Sequence, residues 1–478
     1  MQDRSKTVLV TCKKFVFTFG SVYVAKTTLG LLLKMRSTKN TLKWLDLIKD
    51  QDTLRMAASF AGIRSTYYLL KNILRDSVYA SSISAFVASL WILVDTNKER
   101  RVTISLNAFV KAFLFAIRSY IYRKPGDEID NQLQTKKELL VSKKYPLQLI
   151  EHKNRFLYTV AQGVHLYGDY ILWQMIAFHL TMIAFNQPQF LPKGYYYSLL
   201  HVTGYLNRYG KNIQGVMRGL GSLTLYSNEN PNTDLFRIPS GITSKDFINN
   251  LALQPGNRYP FLEDLLPTTR LLKDAAHHDF LICAFHHPQT SSCILAGFKA
   301  GIEVAPIIFP TYAAINSLQL IVGVVRIAFR KQAGLEEDRP SKIAQVLERL
   351  KRYITSTAQS VLMISAYCSM LTYTLCFLRY LLNQEFPVSY GIAGFIGGPT
   401  ILFDKPGRLT EMNSYCSTKA LISFYEWGKA NRRWKGFNFG ELMYFMPSLI
   451  VLANCSERFP HTVHGISEPV LKWLFSIN

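Results

Sequence analysis

The sequence predicts an all-α fold, a polytopic transmembrane helical bundle with an internal duplication, and three observations carry that prediction. The first is a set of uncharged runs near bilayer length: residues 304–325, 353–378 and 170–192 hold 22, 26 and 23 residues, and 77–94 and 386–403 hold 18 each. A helix needs roughly 20 apolar residues to cross a hydrocarbon core of about 30 Å. The second is self-similarity between two distant parts of the chain. The third is composition: 49% of residues are hydrophobic, and only 18% are charged, against about 25% in an ordinary soluble domain. That balance excludes a disordered tail protein and, despite a net charge of +23, a histone-like one.

In chain order, Arg4, Lys6, Lys13 and Lys14 lead into residues 15–33, which Lys26 interrupts. No small-residue cleavage site follows, so the first segment is expected to stay attached. Residues 56–74 are amphipathic and carry Arg64 and Lys71; residues 103–120 carry Lys111 and Arg118. Cations near helix ends snorkel to the interface, whereas central ones cost several kcal/mol unless paired or facing a polar cavity. The stretch 122–153 holds seven Lys/Arg and five Asp/Glu and reads as a polar connection. Residues 207–279 contain several Pro and Gly breaks and read as a linker with short helices. In 341–352, Ile343, Val346, Leu347 and Leu350 share one helical face. The expected organisation is a first membrane repeat over 1–190 with about four or five helices, a polar linker over 191–280, and a second such repeat over 281–478. Basic residues occur in loops of both parities, which leaves the orientation open.

The repeat lies in spacing as well as hydropathy. Residues 86–95 (FVASLWILVD) match 395–404 (FIGGPTILFD), each ending in Asp. Arg100 follows Asp95 and Arg408 follows Asp404; Lys111 and Lys419 come next; Lys71 and Arg379 precede their Asp by 24 and 25 residues. Asn186 to Pro192 echoes Asn454 to Pro460 more loosely. These eight charged positions are the candidate intramembrane polar or pathway residues, and Lys111 and Lys419 are expected to face protein or a polar cavity. Gly394 and Gly398, at i and i+4, are expected to pack a neighbouring helix closely.

His287-Pro288 and Cys293 before an apolar helix with Ala305-Pro306, Cys376-Phe377-Leu378-Arg379, the stretch Ile392-Ala393-Gly394-Phe395-Ile396-Gly397-Gly398, and the later Lys419 together resemble the transmembrane protein 135 family, also called peroxisomal membrane protein 52. That family is distantly related to the inner-membrane preprotein translocase subunits. The resemblance covers two blocks, about 10–190 and 280–478. It implies a membrane protein of mitochondria or peroxisomes, tied to organelle dynamics and to lipid or fatty-acid handling, with no assigned enzymatic reaction.

Seven Cys, at 12, 283, 293, 368, 376, 416 and 455, are scattered and odd in number, which argues for reduced or lipid-buried thiols. His277, His278, Asp279, Cys283, His286, His287 and Cys293 form a dense run of ligand-type residues. Cys283-x2-His286 and His287-x5-Cys293 lack standard paired metal spacing, so the stretch is expected to be a polar helix entrance at the membrane surface, with no metal and no cofactor. Residues 215–221 (GVMRGLG) lack the Lys-Ser/Thr end of a phosphate loop and read as a flexible turn. His165 and His179 near Asp169 read as core or interfacial histidines. No hydrolase, metalloprotease or dinucleotide motif is present, so an enzyme is not expected. The cations flank apolar runs and form no arginine-rich face, which points to the bilayer and its anionic lipids and away from nucleic acid. A second copy of the chain or another membrane protein is the further partner considered. The leading expectation is a non-enzymatic regulator of organelle dynamics and lipid handling. A pore or transporter for a metabolite, lipid or polypeptide is the alternative, and a membrane-embedded metal-dependent enzyme is the third.

Overall fold

The computed structural model describes residues 2–37, 50–75, 77–121, 155–230, 236–253, 259–274, 276–329, 342–433, 435, 439–458 and 467–475. The charged stretch 122–153 lies outside the described residues. Among the described residues the chain is helical, with a single antiparallel bridge between Arg237 and Phe280. The helices are α1 (Gln2–Ser37), α2 (Gln51–Ile73), α3 (Ala80–Ser89), α4 (Lys98–Ile121) and α5 (Arg155–Asn186). Six short ones follow: α6 (Lys193–Val202), α7 (Tyr205–Tyr209), α8 (Ile213–Glu229), α9 (Ser244–Leu253), α10 (Pro260–Leu265) and α11 (Leu281–His286). The rest are α12 (Cys293–Phe329), α13 (Lys342–Leu382), α14 (Pro387–Gly397), α15 (Pro406–Ala430), α16 (Gly440–Arg458) and α17 (Ser467–Phe475).

Among the described residues three helices are long and apolar enough to cross a membrane: Thr7–Thr27 within α1, Cys293–Ala314 within α12 and Ile343–Leu382 within α13. This corrects the expectation that each uncharged run is one spanning helix. The run 77–94 divides into the ten-residue α3 and a tighter 3-10 turn, Leu90–Val94; the run 386–403 divides into α14 and the 3-10 turn Gly398–Phe403. Hydropathy registers the apolar content of such a run but not the change of helix type inside it.

The chain forms two compact units, which cut across the division into 1–190, 191–280 and 281–478. The first contains Met1–Gly168, Ser414–Leu421 and Arg432–Asn478. Asp50 starts α2 by accepting hydrogen bonds from the Asp52 and Thr53 N–H groups, both at 3.2 Å, a cap worth about 1 kcal/mol. Asn97 does the same for α4, accepting from the Arg100 N–H at 3.0 Å. The core joins Ile63 and Tyr67 of α2, Ala85 and Ala88 of α3, and Ala112 and Phe115 of α4 to Phe445, Leu449 and Leu452 of α16 and Phe475 of α17. The small residues of α3 let α16 approach, and Asn454 of α16 donates to Ser82 Oγ of α3 at 3.0 Å.

The second unit contains Asp169–Asn413 and Ile422–Asn431. Its centre is a hairpin of α12 and α13, held close because Gly297 and Gly301 of α12 face Ser365, Ser369 and Tyr373 of α13. Pro306 and Pro310 lie inside α12. Exposed Ile294, Leu295, Phe298, Ile302, Leu362, Phe377 and Leu381 give the hairpin an apolar outer face. The C-terminal half of α5 packs along α14. A Cβ at Gly394 would stand 2.5 Å from the Ala177 carbonyl oxygen, and one at Gly398 would stand 2.8 Å from Gln174 Cγ. Asn186, the last residue of α5, donates to the Pro387 carbonyl at 2.9 Å.

The region read as a linker carries a core of its own. On α8, Ile213, Val216, Met217, Leu220 and Leu223 are buried on one face, against Phe261 and Leu265 of α10. The stretch 215–221 is therefore helix, not a flexible turn. Its glycines allow close packing: a Cβ at Gly219 would meet Leu265 Cγ at 2.7 Å, and one at Gly221 the Phe185 carbonyl at 3.3 Å. Burial of each such large apolar side chain is worth about 1.5–3 kcal/mol. All six residues of α11 are buried, which corrects the reading of 277–293 as a surface-lying polar entrance.

Candidate functional site

The α12–α13 hairpin carries two cavities. An open apolar groove of about 660 Å³ runs between α12 and α13, walled by Phe298, Ile302, Phe309, Ile354, Val361 and Leu362. A polar pocket of about 360 Å³ is lined by Asn316, Glu348, Arg349, Arg352, Ser356 and Lys405. Tyr353 lines both, so the apolar groove and the basic pocket share a wall residue. The positions follow from the amphipathic start of α13. Ile343, Val346, Leu347 and Leu350 make an exposed apolar face, and Arg349 and Arg352 stand apart from it on the polar side. Glu348 pairs with Arg352 at 2.5 Å. Burial, followed by the nearby Arg408 and Arg352 guanidinium groups, holds the Lys405 ammonium below its ordinary value even with Asp404 beside it. An electropositive pocket shifts a lysine in this direction.

Arg408 also belongs to this edge of the hairpin. It donates to Asn316 Oδ1 at 2.7 Å and Ser356 Oγ at 2.5 Å, and reaches Asp404 at 3.3 Å. Asp404 closes the 3-10 turn after α14 and accepts from the Lys405 N–H at 2.8 Å and from Ser360 Oγ at 3.1 Å. Its counterpart Asp95 closes the turn after α3 and accepts from the Asn97 N–H at 3.0 Å. Asp95 is 1% exposed and pairs with Arg100, which also grips Asp52 through two bonds of 2.7 Å. Lys26 completes that network, 2.7 Å from Asp52.

The remaining repeated charges have local partners too. Lys71 pairs with Glu457 at 2.5 Å, and Arg379 pairs with Glu385 at 2.5 Å inside the second unit. Lys419 is buried, its ammonium 5.3 Å from the Tyr415 ring centroid. Lys111 is half-buried and engaged by neighbours. Six of the eight positions thus lie in four separate ion pairs, Lys71 with Glu457, Asp95 with Arg100, Arg379 with Glu385 and Asp404 with Arg408.

A third constellation is made of thiols and an imidazole. Cys283 of α11, His287 just after it, Cys293 at the start of α12 and Cys376 of α13 bring four donor atoms within 4.8 Å of one another. His287 Nε2 lies 3.5 Å from Cys376 Sγ and 3.6 Å from Cys293 Sγ. Its Nδ1 lies 2.7 Å from the Thr290 carbonyl and donates to it, which leaves the Nε2 lone pair facing the sulfurs. Arg379 donates to Cys283 Sγ at 3.5 Å.

No protein-family model, curated protein or solved structure matches this chain. The chemistry rests on the geometry alone.

The other histidines are engaged elsewhere. His286 is buried between the Tyr205 and Tyr390 hydroxyls, and burial, then Arg379 and His287, keeps it well below the ordinary histidine value. His278 bonds Ser244 Oγ at 2.9 Å and approaches the His287 and Thr290 carbonyls. His277 is exposed beside the Ile242 carbonyl, and Asp279 is exposed. His179 bonds Ser423 Oγ at 2.7 Å, while the side chain of His165 lies outside the described residues. Sequence reasoning paired Cys283 with His286 and missed Cys376. The available signal was a thiol three residues before a cation within an apolar run. It also missed Arg349, Arg352 and Lys405, whose signal was the polar face of 341–352.

Proposed function

We propose that this chain is a non-enzymatic multi-pass membrane protein of mitochondria or peroxisomes that binds an anionic phospholipid and thereby acts on the lipid content and shape of its membrane. The observation that carries the reading is Tyr353, which lines both a basic pocket and an apolar groove. A phosphate headgroup matches Arg349, Arg352 and Lys405, and an acyl chain matches Phe298, Ile302 and Leu362. The groove volume falls within the about 300–1,000 Å³ of small-molecule sites. The locally paired charges favour this binding role over a pore or transporter, because a conduction path needs polar groups aligned along it.

A parallel order of elements supports an internal duplication with exchanged helices, and with it the multi-pass reading. The order α2, α3 with its 3-10 turn, Asp95, α4 parallels α13, α14 with its 3-10 turn, Asp404, α15. Asn454 and Asn186 each bond the carbonyl four residues back and the beginning of the short helix in their own unit.

The test is native mass spectrometry of the full chain released from nanodiscs of mixed anionic and zwitterionic lipid. Retention of anionic lipid is expected, and Arg349→Gln with Arg352→Gln lowers it roughly tenfold to thirtyfold, at about 1 kcal/mol per cation. Equal retention of both lipid classes refutes the reading. Imaging a tagged chain against mitochondrial and peroxisomal markers tests the location.

A further inference from the structure

We propose that Cys283, His287, Cys293 and Cys376 form a tetrahedral zinc site that ties α11 to the α12–α13 hairpin of the second unit. Three arguments converge on it. The first is distance. With Zn–S of about 2.3 Å and Zn–N of about 2.05 Å at tetrahedral angles, sulfur and nitrogen ligands stand about 3.6 Å apart. The two closest sulfurs lie 3.5 and 3.6 Å from His287 Nε2. The second is orientation. Metal-binding imidazoles donate their other N–H to a carbonyl or carboxylate, which fixes the tautomer and the ring. His287 Nδ1 does so to the Thr290 carbonyl at 2.7 Å.

The third argument is chemistry. Three sulfurs and one imidazole suit zinc, whereas calcium and magnesium demand oxygen ligands. Zinc with three thiolates and a neutral imidazole carries one negative charge. Arg379, donating to Cys283 Sγ at 3.5 Å, places a buried cation against it. The thiols of free Cys283, Cys293 and Cys376 release three protons to solvent as the ion binds. With four protein ligands the site is closed and has no open position for substrate, which makes it a structural and not a catalytic centre. Its effect is to join the end of α11, the start of α12 and the C-terminal part of α13, segments that packing alone would have to hold across the 82 residues of chain between Cys293 and Cys376.

The full chain, purified in detergent under reducing conditions, is analysed for metals by inductively coupled plasma mass spectrometry. About one zinc per chain is expected; Cys293→Ser and Cys376→Ser lose most of it, and Cys368→Ser, a buried thiol outside the cluster, keeps it. A misfolded variant would also lose zinc, so the wild-type chain supplies a second measurement. Maleimide labelling of Cys283, Cys293 and Cys376, mapped by peptide mass spectrometry, is low before a zinc chelator and rises after it. Substoichiometric zinc, stoichiometric iron, a disulfide among the three cysteines, or labelling indifferent to the chelator overturns the assignment. Metal content and thiol protection are read without added lipid, so this proposal and the lipid-binding reading fail independently.

Discussion

In the chelator-treated chain, whose cysteines carry no metal–thiolate charge, replacing Glu385 by Gln isolates the cost of an unpaired charge inside the second unit. Glu385 grips Arg379 through two bonds, Nε to Oε2 at 2.5 Å and Nη2 to Oε1 at 3.2 Å. The two side chains are only 3% and 2% exposed. In Glu385→Gln the guanidinium keeps its charge, its other contact being the Cys283 sulfur at 3.5 Å. Removing one partner of a buried pair costs about 3–5 kcal/mol, while replacing both with apolar groups is close to neutral. At about 2–4 °C per kcal/mol for a domain of 150–250 residues, the melting temperature falls by about 6–20 °C. Tryptophan fluorescence of the detergent-solubilised chain follows the transition. The double variant Arg379→Met/Glu385→Leu is expected to recover more than half of the loss. If Glu385→Gln melts within about 2 °C of the wild type, the pair is solvated and the reasoning fails. If the double variant is no better than the single, the loss comes from packing and not from the stranded charge.

Two further predictions concern packing and acid. Gly394→Ala places a methyl 2.5 Å from the Ala177 carbonyl and 2.7 Å from Thr181 Oγ1. It should cost about 1–3 kcal/mol, more than Gly397→Ala, whose nearest neighbour is a Tyr367 ring carbon at 3.2 Å; equal thermal melts of the two variants would contradict the close α5–α14 crossing. Hydrogen bonding from Arg100, against an opposing push from burial and with help from Lys26, holds Asp52 well below the usual carboxylate range. Its folded value is depressed, so its contribution is complete above the unfolded value of about 3.9 and is lost as pH falls toward the folded one. Acid titration of the thermal melt below about pH 5 should therefore show a shallower loss for Asp52→Asn than for the wild type, and identical slopes would remove Asp52 from the account.

What the sequence made legible was local. Asp95 and Asp404 could be placed at helix ends because each closes an apolar run and precedes an arginine, and that pattern requires no knowledge of partners. The face of 341–352 was readable from its 3.6-residue period. Cys376 was not, because its partners lie 83 or more residues away and a thiol within an apolar run looks like any other small core residue. The core of α8 and α10 was hidden by the Pro and Gly breaks that let short helices fold back on one another. The 3-10 turns after α3 and α14 were invisible because Leu90–Val94 and Gly398–Phe403 have the hydropathy of continuous spans. Periodicity also shows which face a helix buries but not which helix covers it, so nothing in it announced that α16 would complete the unit begun by α2, α3 and α4.

That last arrangement governs how the protein can be made. The groove between α3 and α4 that receives Phe445, Leu449 and Leu452 is synthesised about 320 residues before α16, roughly 16 to 64 s earlier at ribosomal speeds of about 5–20 residues per second. For that interval the growing chain carries this seam unfilled. A chain truncated before Gly440 would leave the seam open permanently, however complete its N-terminal helices. Completion of the first unit therefore waits on the synthesis of α16.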